Sequence, residues 1–177
     1  GVVERFGLTE AELALCCASH SGEPRHVDVA ASILMKAGLG EEALACGPHD
    51  PFDDAATRAL REAGRAPGRL HNNCSGKHAG MLALARFHGW PTEGYHRADH
   101  PVQARMLREI SRWAEVAPED VWTGVDGCGV VTFAVPLAAQ TPPAAPPTPP
   151  PLWERKAELS LVATTGRVAL PCTTASV

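Results

Sequence analysis

A proline-rich segment, TPPAAPPTPPP, occupies residues 141–151 and limits where a folded domain can lie. Proline lacks a backbone N–H donor and fixes φ, so such a run can be neither a helix interior nor a central strand. It favours extended polyproline II or an unordered segment. We therefore predict one partial domain over residues 1–139, followed by a proline-rich tail over residues 140–177 that nothing ties to the motifs before it.

Composition and charge are those of a soluble globular protein with room for one core. The chain has 177 residues, of which 45% are hydrophobic and 20% charged, and its formal net charge is -4. A mildly acidic chain without a basic stripe gives no reason to expect nucleic acid as a partner. No apolar run approaches the roughly 20 residues that cross a bilayer, and the N-terminus has no signal-peptide pattern. We expect no membrane partner and a cytoplasmic location.

Helix signals dominate the first part of the chain, and strand signals follow. Thr9 and Glu12 form a capping box ahead of an apolar helical run. Further helices are predicted over residues 23–36, 40–44, 50–64, 77–88 and 100–116. Residues 121–137 are rich in glycine and β-branched side chains, which predicts two short strands around a Gly127-Cys128-Gly129 turn. Helices with a few strands indicate an α/β (α+β) fold.

Apolar context assigns a packing role to several residues that could otherwise carry chemistry. The chain has six cysteines and no CxxC pair, so reduced thiols are expected rather than a disulfide framework. Some of these thiols lie in apolar helical runs and are predicted to be core residues. The tryptophans with apolar neighbours are predicted to be packing anchors. The residues concerned are Cys16, Cys17, Cys46, Trp90, Trp113 and Trp122.

The segment HNNCSGKHAG, residues 71–80, is polar and nucleophilic directly in front of the apolar run MLALA. Gly76 allows a tight start to the helix, so Cys74 is expected at or near the helix N-terminus. Free N–H groups and the helix dipole at that position favour anions and lower the pKa of a thiol. A helix cap is an equally good interpretation, with Asn73 or Ser75 satisfying the backbone while Cys74 packs.

A second glycine-flanked cysteine, Cys128 in GVDGCGV, favours a metal site. Two such thiolates and one nitrogen donor are a suitable set for zinc. Lysine is an unusual ligand because its amine must first lose a proton, so chemistry alone ranks His78 or His71 ahead of Lys77. Two unrelated turn cysteines, Cys74 and Cys128, remain the competing interpretation.

A third polar cluster, ASHSGEPRH, spans residues 18–26 and contains hydroxyls, imidazoles and a carboxylate. This set is sufficient for a hydroxyl nucleophile with a hydrogen-bonded base, although Ser-x-Gly-Glu is also a good helix N-cap. A Ser-Lys mechanism needs a lysine one helical turn after the nucleophile. No serine in the chain is followed by lysine at the third position.

Five segments of residues 1–139 together resemble the rhizobial-type L-asparaginases, the thermolabile asparaginase II family. They are ASHSGEPRHV, LACGPH, LHNNCSGKHAGMLALA, DHPVQ and GVDGCGVVTFAVPLA, which occur in family order and at family-like spacing. The resemblance implies a fold similar to that of serine β-lactamases and glutaminases, hydrolysis of the side-chain amide of L-asparagine, and a homodimer in the complete enzyme. Val131 stands where the family usually has proline.

The resemblance also implies the roles of particular residues. Zn²⁺ is expected at Cys74, Lys77 and Cys128, which replaces the chemical preference for His78. Ser19 is expected among the catalytic groups. The family's Ser-x-x-Lys pair and its C-terminal part are expected to be missing from this chain, so we expect an incomplete fragment with little or no activity.

Four polar residues are expected to line the substrate pocket: Glu23, His26, Asn72 and Asn73. Two other functions remain open. The chain could be a non-catalytic zinc-binding interaction or regulatory domain, for which zinc retention without turnover would be the sign. A related serine amidohydrolase acting on glutamine or a β-lactam is the other alternative, and a substrate panel would separate it from an asparaginase.

Overall fold

The structure is a computed structural model that describes residues 1–140, so the proline-rich tail predicted from residue 141 onward lies outside the described residues. The α-helices are α1 (Val2–Phe6), α2 (Glu10–Cys17), α3 (Pro24–Lys36), α4 (Asp54–Glu62), α5 (Ser75–His88), α6 (Pro101–Ala114) and α7 (Leu137–Gln140). The strands are β1 (Trp122–Val125) and β2 (Val131–Ala134), and short 3₁₀ turns lie at Glu41–Ala43, Arg69–His71 and Pro118–Asp120.

Side-chain caps and glycines set the helix ends. The Thr9 hydroxyl accepts a hydrogen bond from the Glu12 amide at 3.3 Å, and the Glu12 carboxylate accepts one from the Thr9 amide at 2.6 Å, so the predicted capping box is confirmed. The imidazole of His100 accepts from the Val102 amide at 3.2 Å at the start of α6. Helix α5 ends at Gly89, whose φ of 68° is the left-handed conformation that glycine adopts without strain.

Helix α5 is the centre of the core. Every residue from Ser75 to Ala85 is buried, and α1, α2 and α3 pack around the helix. The approach of α2 is so close that a Cβ built on Gly76 would lie 2.6 Å from both the Cγ and the carbonyl oxygen of Leu15. Glycine is therefore required at this crossing, and the first turn of α5 is held directly against the backbone of α2.

The two strands form an antiparallel hairpin with Trp122 opposite Ala134 and Val125 opposite Val131. Its turn is closed by a hydrogen bond from the Gly129 amide to the carbonyl of Asp126 at 2.8 Å. Strand β2 faces α6, whereas β1 is exposed along its whole length. The hairpin thus carries Cys128, at its turn, to the edge of the helical core.

The predicted fold class, a mixture of helices with a few strands, is confirmed: the described residues are helix-rich with one two-stranded antiparallel sheet. The strands flank the predicted turn. Helix α4, predicted to begin at Asp50, begins four residues later, at Asp54, because the Asp53 carboxylate caps it by accepting from the Ala56 amide at 2.7 Å. Pro51 instead packs against Gly22 in the preceding polar loop.

Several predicted packing roles are wrong. Trp122 is 79% exposed because it lies on the open strand β1, and Trp113 is 44% exposed near the end of α6. Cys17, the last residue of α2, is also exposed. Cys16 and Cys46 are buried, as predicted.

Candidate active site and metal centre

Two cysteines and an aspartate from distant parts of the sequence meet at the start of α5. Ligand atoms of Cys74, Asp126 and Cys128 all lie within 4.8 Å of one another, the one cluster of this kind among residues 1–140. Cys74 precedes the first residue of α5, and the other two residues lie in the hairpin turn. The glycines predicted to bend this turn do so, since Gly129 has a φ of 85°. The geometry brings the two predicted thiol ligands together.

Lys77 lies one turn into α5 and reaches the same cluster. Its Nζ donates to Oδ2 of Asp126 at 3.0 Å, and its side chain is only 7% exposed. Burial lowers the pKa of Lys77, but the nearby Cys74, Cys128 and Asp126 raise it, and the net direction is upward. Burial is the largest single influence on the pKa of Asp126 and raises it, but the hydrogen bond and charge of Lys77, together with the Gly127 amide, outweigh burial, so that pKa is lowered. The pair is therefore an ammonium–carboxylate ion pair.

The two cysteine side chains shift each other's pKa in opposite directions. The pKa of Cys128 is lowered, chiefly by the neighbouring Cys74 thiol, while burial opposes that shift. The same contact, together with burial, raises the pKa of Cys74. Of the two sulfurs, Cys128 is therefore the one that loses its proton more readily.

A buried hydrogen-bonded chain supports the Cys128 side of the cluster. The Ala45 amide donates to the hydroxyl of Tyr95 at 2.9 Å, and that hydroxyl lies 2.6 Å from Nδ1 of His78. The donor in this second hydrogen bond depends on the tautomer of His78. Both rings are fully buried, and Nε2 of His78 has no hydrogen-bond partner among the described residues, so the sequence-based candidate His78 is placed in the core beside Tyr95.

The asparagines preceding Cys74 hold the local backbone. Asn72 is buried; its side chain donates to the carbonyl of Gly47 at 2.7 Å and accepts from the Cys74 amide at 2.9 Å. The backbone amide of Asn73 donates to Nε2 of His49 at 3.0 Å. These contacts tie the start of α5 to the segment around residues 47–49. In this structure the side-chain amide of Asn72 therefore hydrogen-bonds to the protein's own backbone through both its nitrogen and its oxygen.

The loop that contains Ser19 lies against the other side of the same turn. Ser19 is exposed, and the next residue, His20, is buried. The His20 amide donates to the carbonyl of Asn73 at 3.0 Å, and Nε2 of its ring lies 2.9 Å from the hydroxyl of Ser75. Burial lowers the pKa of His20 to about 4, with smaller contributions from His26 and His49, so the ring is neutral. The Ser19 loop is thus joined to the cluster of Cys74, Asp126 and Cys128 through hydrogen bonds to the residues on both sides of Cys74.

The remaining pocket candidates, Glu23 and His26, lie where the loop enters α3. The Ser21 hydroxyl donates to the Glu23 carboxylate at 2.8 Å and lies 3.5 Å from Nδ1 of His26. That hydrogen bond, followed by one from Arg25, lowers the pKa of Glu23. The rings of His26 and His20 are 5.2 Å apart between centroids.

Sequence reasoning identified the segments of the site but missed some of the contacts that assemble it. It did not give a role to Asp126, although the carboxylate lies two residues before Cys128 and that proximity was a usable signal. It also missed the contact between His20 and Ser75 and the anchor at His49. These contacts span 55 and 24 residues, and nothing in the local pattern reveals them.

The donor set fits a zinc ion. Zinc binds thiolates at about 2.3 Å, so donors around a tetrahedral ion lie about 3.8 Å apart. Donors already within 4.8 Å of one another need a contraction of about 1 Å. The soft donors Cys74 and Cys128 suit zinc, while the Lys77 amine, which donates to Asp126, would have to lose one proton before it could bind the ion.

Comparison with known families defines the class of protein. Residues 1–144 match the model of the family described as L-asparaginase II. The chain therefore belongs to the L-asparaginase II family and is, at family level, an asparaginase-type amidohydrolase. A search of curated proteins finds no match. Among the described residues no helix has the length and apolar character that a bilayer span requires.

Proposed function

We propose that this chain is built for hydrolysis of the side-chain amide of L-asparagine to aspartate and ammonia. The observation that carries the proposal is the convergence of three segments. The Ser19 loop, the start of α5 and the hairpin turn are far apart in sequence, yet His20 hydrogen-bonds both neighbours of Cys74, and Cys74 lies within 4.8 Å of the turn ligands. Family membership supports the choice of an amide as the bond that is broken.

In the proposed reaction the Ser19 hydroxyl attacks the amide carbon and its proton passes to a base. The base returns that proton to the amide nitrogen as the C–N bond breaks, so that ammonia leaves. Water then hydrolyses the acyl ester on Ser19, which releases aspartate and restores the hydroxyl. Ser19 is exposed and so is open to a substrate. Glu23 and His26, on the same loop, are proposed to bind the substrate, with Asn72 and Asn73 shaping the pocket wall through the backbone contacts described above.

Zinc is proposed to bind Cys74, Lys77 and Cys128. When bound, the ion would act as a Lewis acid toward a substrate oxygen. Asp126 is proposed to hold the Lys77 amine in place, since it already accepts from Nζ at 3.0 Å.

The metal proposal is tested by measuring zinc content and zinc affinity of the wild type beside Cys128→Ala. We expect close to one zinc per wild-type chain and a loss of at least about tenfold in affinity for the variant. Cys17→Ala is the matched control, because that thiol is exposed and belongs to no cluster of potential ligands among the described residues. Equal zinc content in Cys128→Ala and Cys17→Ala would show that the proposed ligand set is wrong.

We propose that the 177-residue chain by itself turns over asparagine slowly or not at all. The reason is chemical: an uncharged hydroxyl needs a strong base, and no serine in this sequence has lysine three residues later. The assay is ammonia release from asparagine, with glutamine and a β-lactam as comparison substrates. Turnover of asparagine at an ordinary enzymatic rate would contradict this proposal.

A second candidate function is a non-catalytic zinc-binding domain. The observation favouring it is that Lys77 is held as an ammonium by a carboxylate rather than being available as a base. Tight zinc binding with no ammonia release from any substrate of the panel would select this function. The homodimer expected of the complete enzyme is proposed as well, and light scattering of the purified chain tests it.

A further inference from the structure

His20 makes a set of hydrogen bonds that no role proposed above uses. Its backbone amide donates to the carbonyl of Asn73 at 3.0 Å. The Gly22 amide donates to Nδ1 of its ring at 3.1 Å, and Nε2 lies 2.9 Å from the Ser75 hydroxyl. The ring is 8% exposed. One residue thus connects the Ser19 loop to both residues that flank Cys74.

The hydrogen-bond pattern determines where the proton of this ring is. Nδ1 accepts from the Gly22 amide and so carries no proton. In a neutral ring the proton is then on Nε2, which donates to the Ser75 oxygen. The Ser75 hydroxyl in turn donates to the carbonyl of Leu70 at 2.9 Å. Every donor and acceptor in the series has a partner.

This pattern excludes the most obvious chemical role, a His20–Ser75 pair of base and nucleophile. A general base needs a free lone pair facing the hydroxyl proton, but Nε2 presents a proton and the hydroxyl proton of Ser75 points to Leu70. Ser75 is also completely buried. The same groups are suited to holding a backbone in place.

We propose that His20 is a positioning residue for the proposed hydrolysis: as the neutral Nε2–H tautomer it clamps the Ser19 loop onto the first turn of α5, so that the hydroxyl of Ser19 and the ligands around Cys74 keep a constant separation. The inference depends on the proposed function for the role of Ser19. The close fit of the loop supports it, since a Cβ on Gly22 would lie 2.9 Å from the carbonyl oxygen of His71.

The tautomer is tested directly in the wild-type chain by ¹⁵N–¹H long-range NMR correlation near neutral pH. We expect the His20 ring to show a protonated Nε2 and an unprotonated Nδ1. A protonated Nδ1, in either the other tautomer or the imidazolium, would overturn the inference.

The clamp is tested with two conservative variants that each keep one half of it. The amide nitrogen of Gln can replace Nε2, so His20→Gln keeps the hydrogen bond to Ser75 and loses the acceptor for Gly22. The carbonyl oxygen of Asn can replace Nδ1, so His20→Asn does the opposite. The readout is amide hydrogen exchange, measured residue by residue. His88→Gln is the control, because α5 separates residue 88 from its first turn by about 20 Å.

We expect a crossed pattern in this exchange experiment. In His20→Gln, exchange at Gly22 should rise by roughly tenfold while exchange at residue 20 stays near that of the wild type. In His20→Asn, exchange at residue 20 should rise by roughly tenfold while Gly22 stays protected. Equal loss at both amides in both variants, or no loss in either, would overturn the clamp. Neither readout needs zinc or asparagine turnover, so failure of the clamp and failure of the proposed function are distinguishable.

Discussion

Gly76→Ala separates two opposing effects at the crossing of α2 and α5. In an exposed helix, alanine in place of glycine stabilises by about 1 kcal/mol through helix propensity. Here the new Cβ would lie 2.6 Å from Cγ of Leu15 and 2.6 Å from its carbonyl oxygen. Carbon atoms in contact are normally about 3.5–4.0 Å apart, so the overlap is about 1 Å. Because one of the two atoms is backbone, rotation of the Leu15 side chain cannot relieve it.

The magnitude follows from these two terms. Overpacking a core typically costs about 1–3 kcal/mol, and the backbone contact places Gly76→Ala at the upper end. After the propensity gain, the net destabilisation is about 2 kcal/mol, which lowers the melting temperature by about 4–8 °C for a domain of this size. Separation of the helices would also shift Cys74 relative to Cys128, so zinc affinity should fall in parallel.

The assay is urea unfolding followed by circular dichroism, with Gly47→Ala as the matched control. Gly47 is exposed, and a Cβ there would meet no atom within 4 Å, so its free energy of unfolding should change by less than about 0.5 kcal/mol. In a double-mutant cycle with Leu15→Ala, which removes the Cγ contact but leaves the carbonyl contact, Gly76→Ala should cost less in the Leu15→Ala background than in the wild type, but its cost should not vanish. A Gly76→Ala chain more stable than the wild type would refute the reasoning, because propensity would then outweigh the contact.

Three further predictions concern charged groups. Since the folded His20 has its pKa lowered to about 4 and the unfolded residue titrates near 6.5, the unfolded state binds more protons below pH 6.5. The contribution of His20 to the free energy of unfolding should therefore be fully present above about pH 6.5 and should fall by about 2 kcal/mol by pH 5, as measured by urea unfolding at each pH. The His20→Gln variant should not show this pH-dependent loss. Asp126→Asn leaves Lys77 buried without its carboxylate partner, so we expect the free energy of unfolding, measured with urea, to fall by about 1–3 kcal/mol. An unchanged urea midpoint of unfolding would contradict the ion pair. Glu12→Ala should destabilise the protein more than Thr9→Ala, which should cost about 1 kcal/mol as the loss of a helix cap. The reason is that the buried Glu12 carboxylate also accepts hydrogen bonds from two side chains of α3. Thermal unfolding of the two variants will rank them.

Local signals explain which parts of the fold could be predicted from the sequence. The capping box at Thr9 and Glu12, the glycine stop at Gly89 and the glycine-rich turn around Cys128 are all determined by residues within four positions of one another, and each is present. The predicted start of α4 was wrong because the segment offers more than one aspartate that could cap a helix. The helix was predicted to begin at Asp50, but Asp53 supplies the cap, and no local rule ranks one aspartate above the other.

Burial was harder to predict because it depends on partners distant in sequence. The apolar context of Trp122 indicates packing, yet the residue lies on an exposed strand and is 79% exposed. Cys16 and Cys17 share the same apolar run, but only Cys16 faces α5, so one prediction is confirmed and the other is wrong. Helical periodicity defines a face, and the position of neighbouring elements decides whether that face is covered.

The candidate site depends on backbone contacts that composition and motif spacing do not encode. Gly76 allows the first turn of α5 to touch the backbone of α2, and Gly22 allows the Ser19 loop to touch the carbonyl of His71. Both contacts fix backbone segments on either side of Cys74, so the position of this thiol relative to α2 and the Ser19 loop is set by backbone packing. The identities of the ligands are local properties of HNNCSGKHAG and GVDGCG. Their approach to within 4.8 Å depends instead on where the hairpin turn lies relative to the start of α5, and residues more than fifty positions apart leave no local pattern that reveals it.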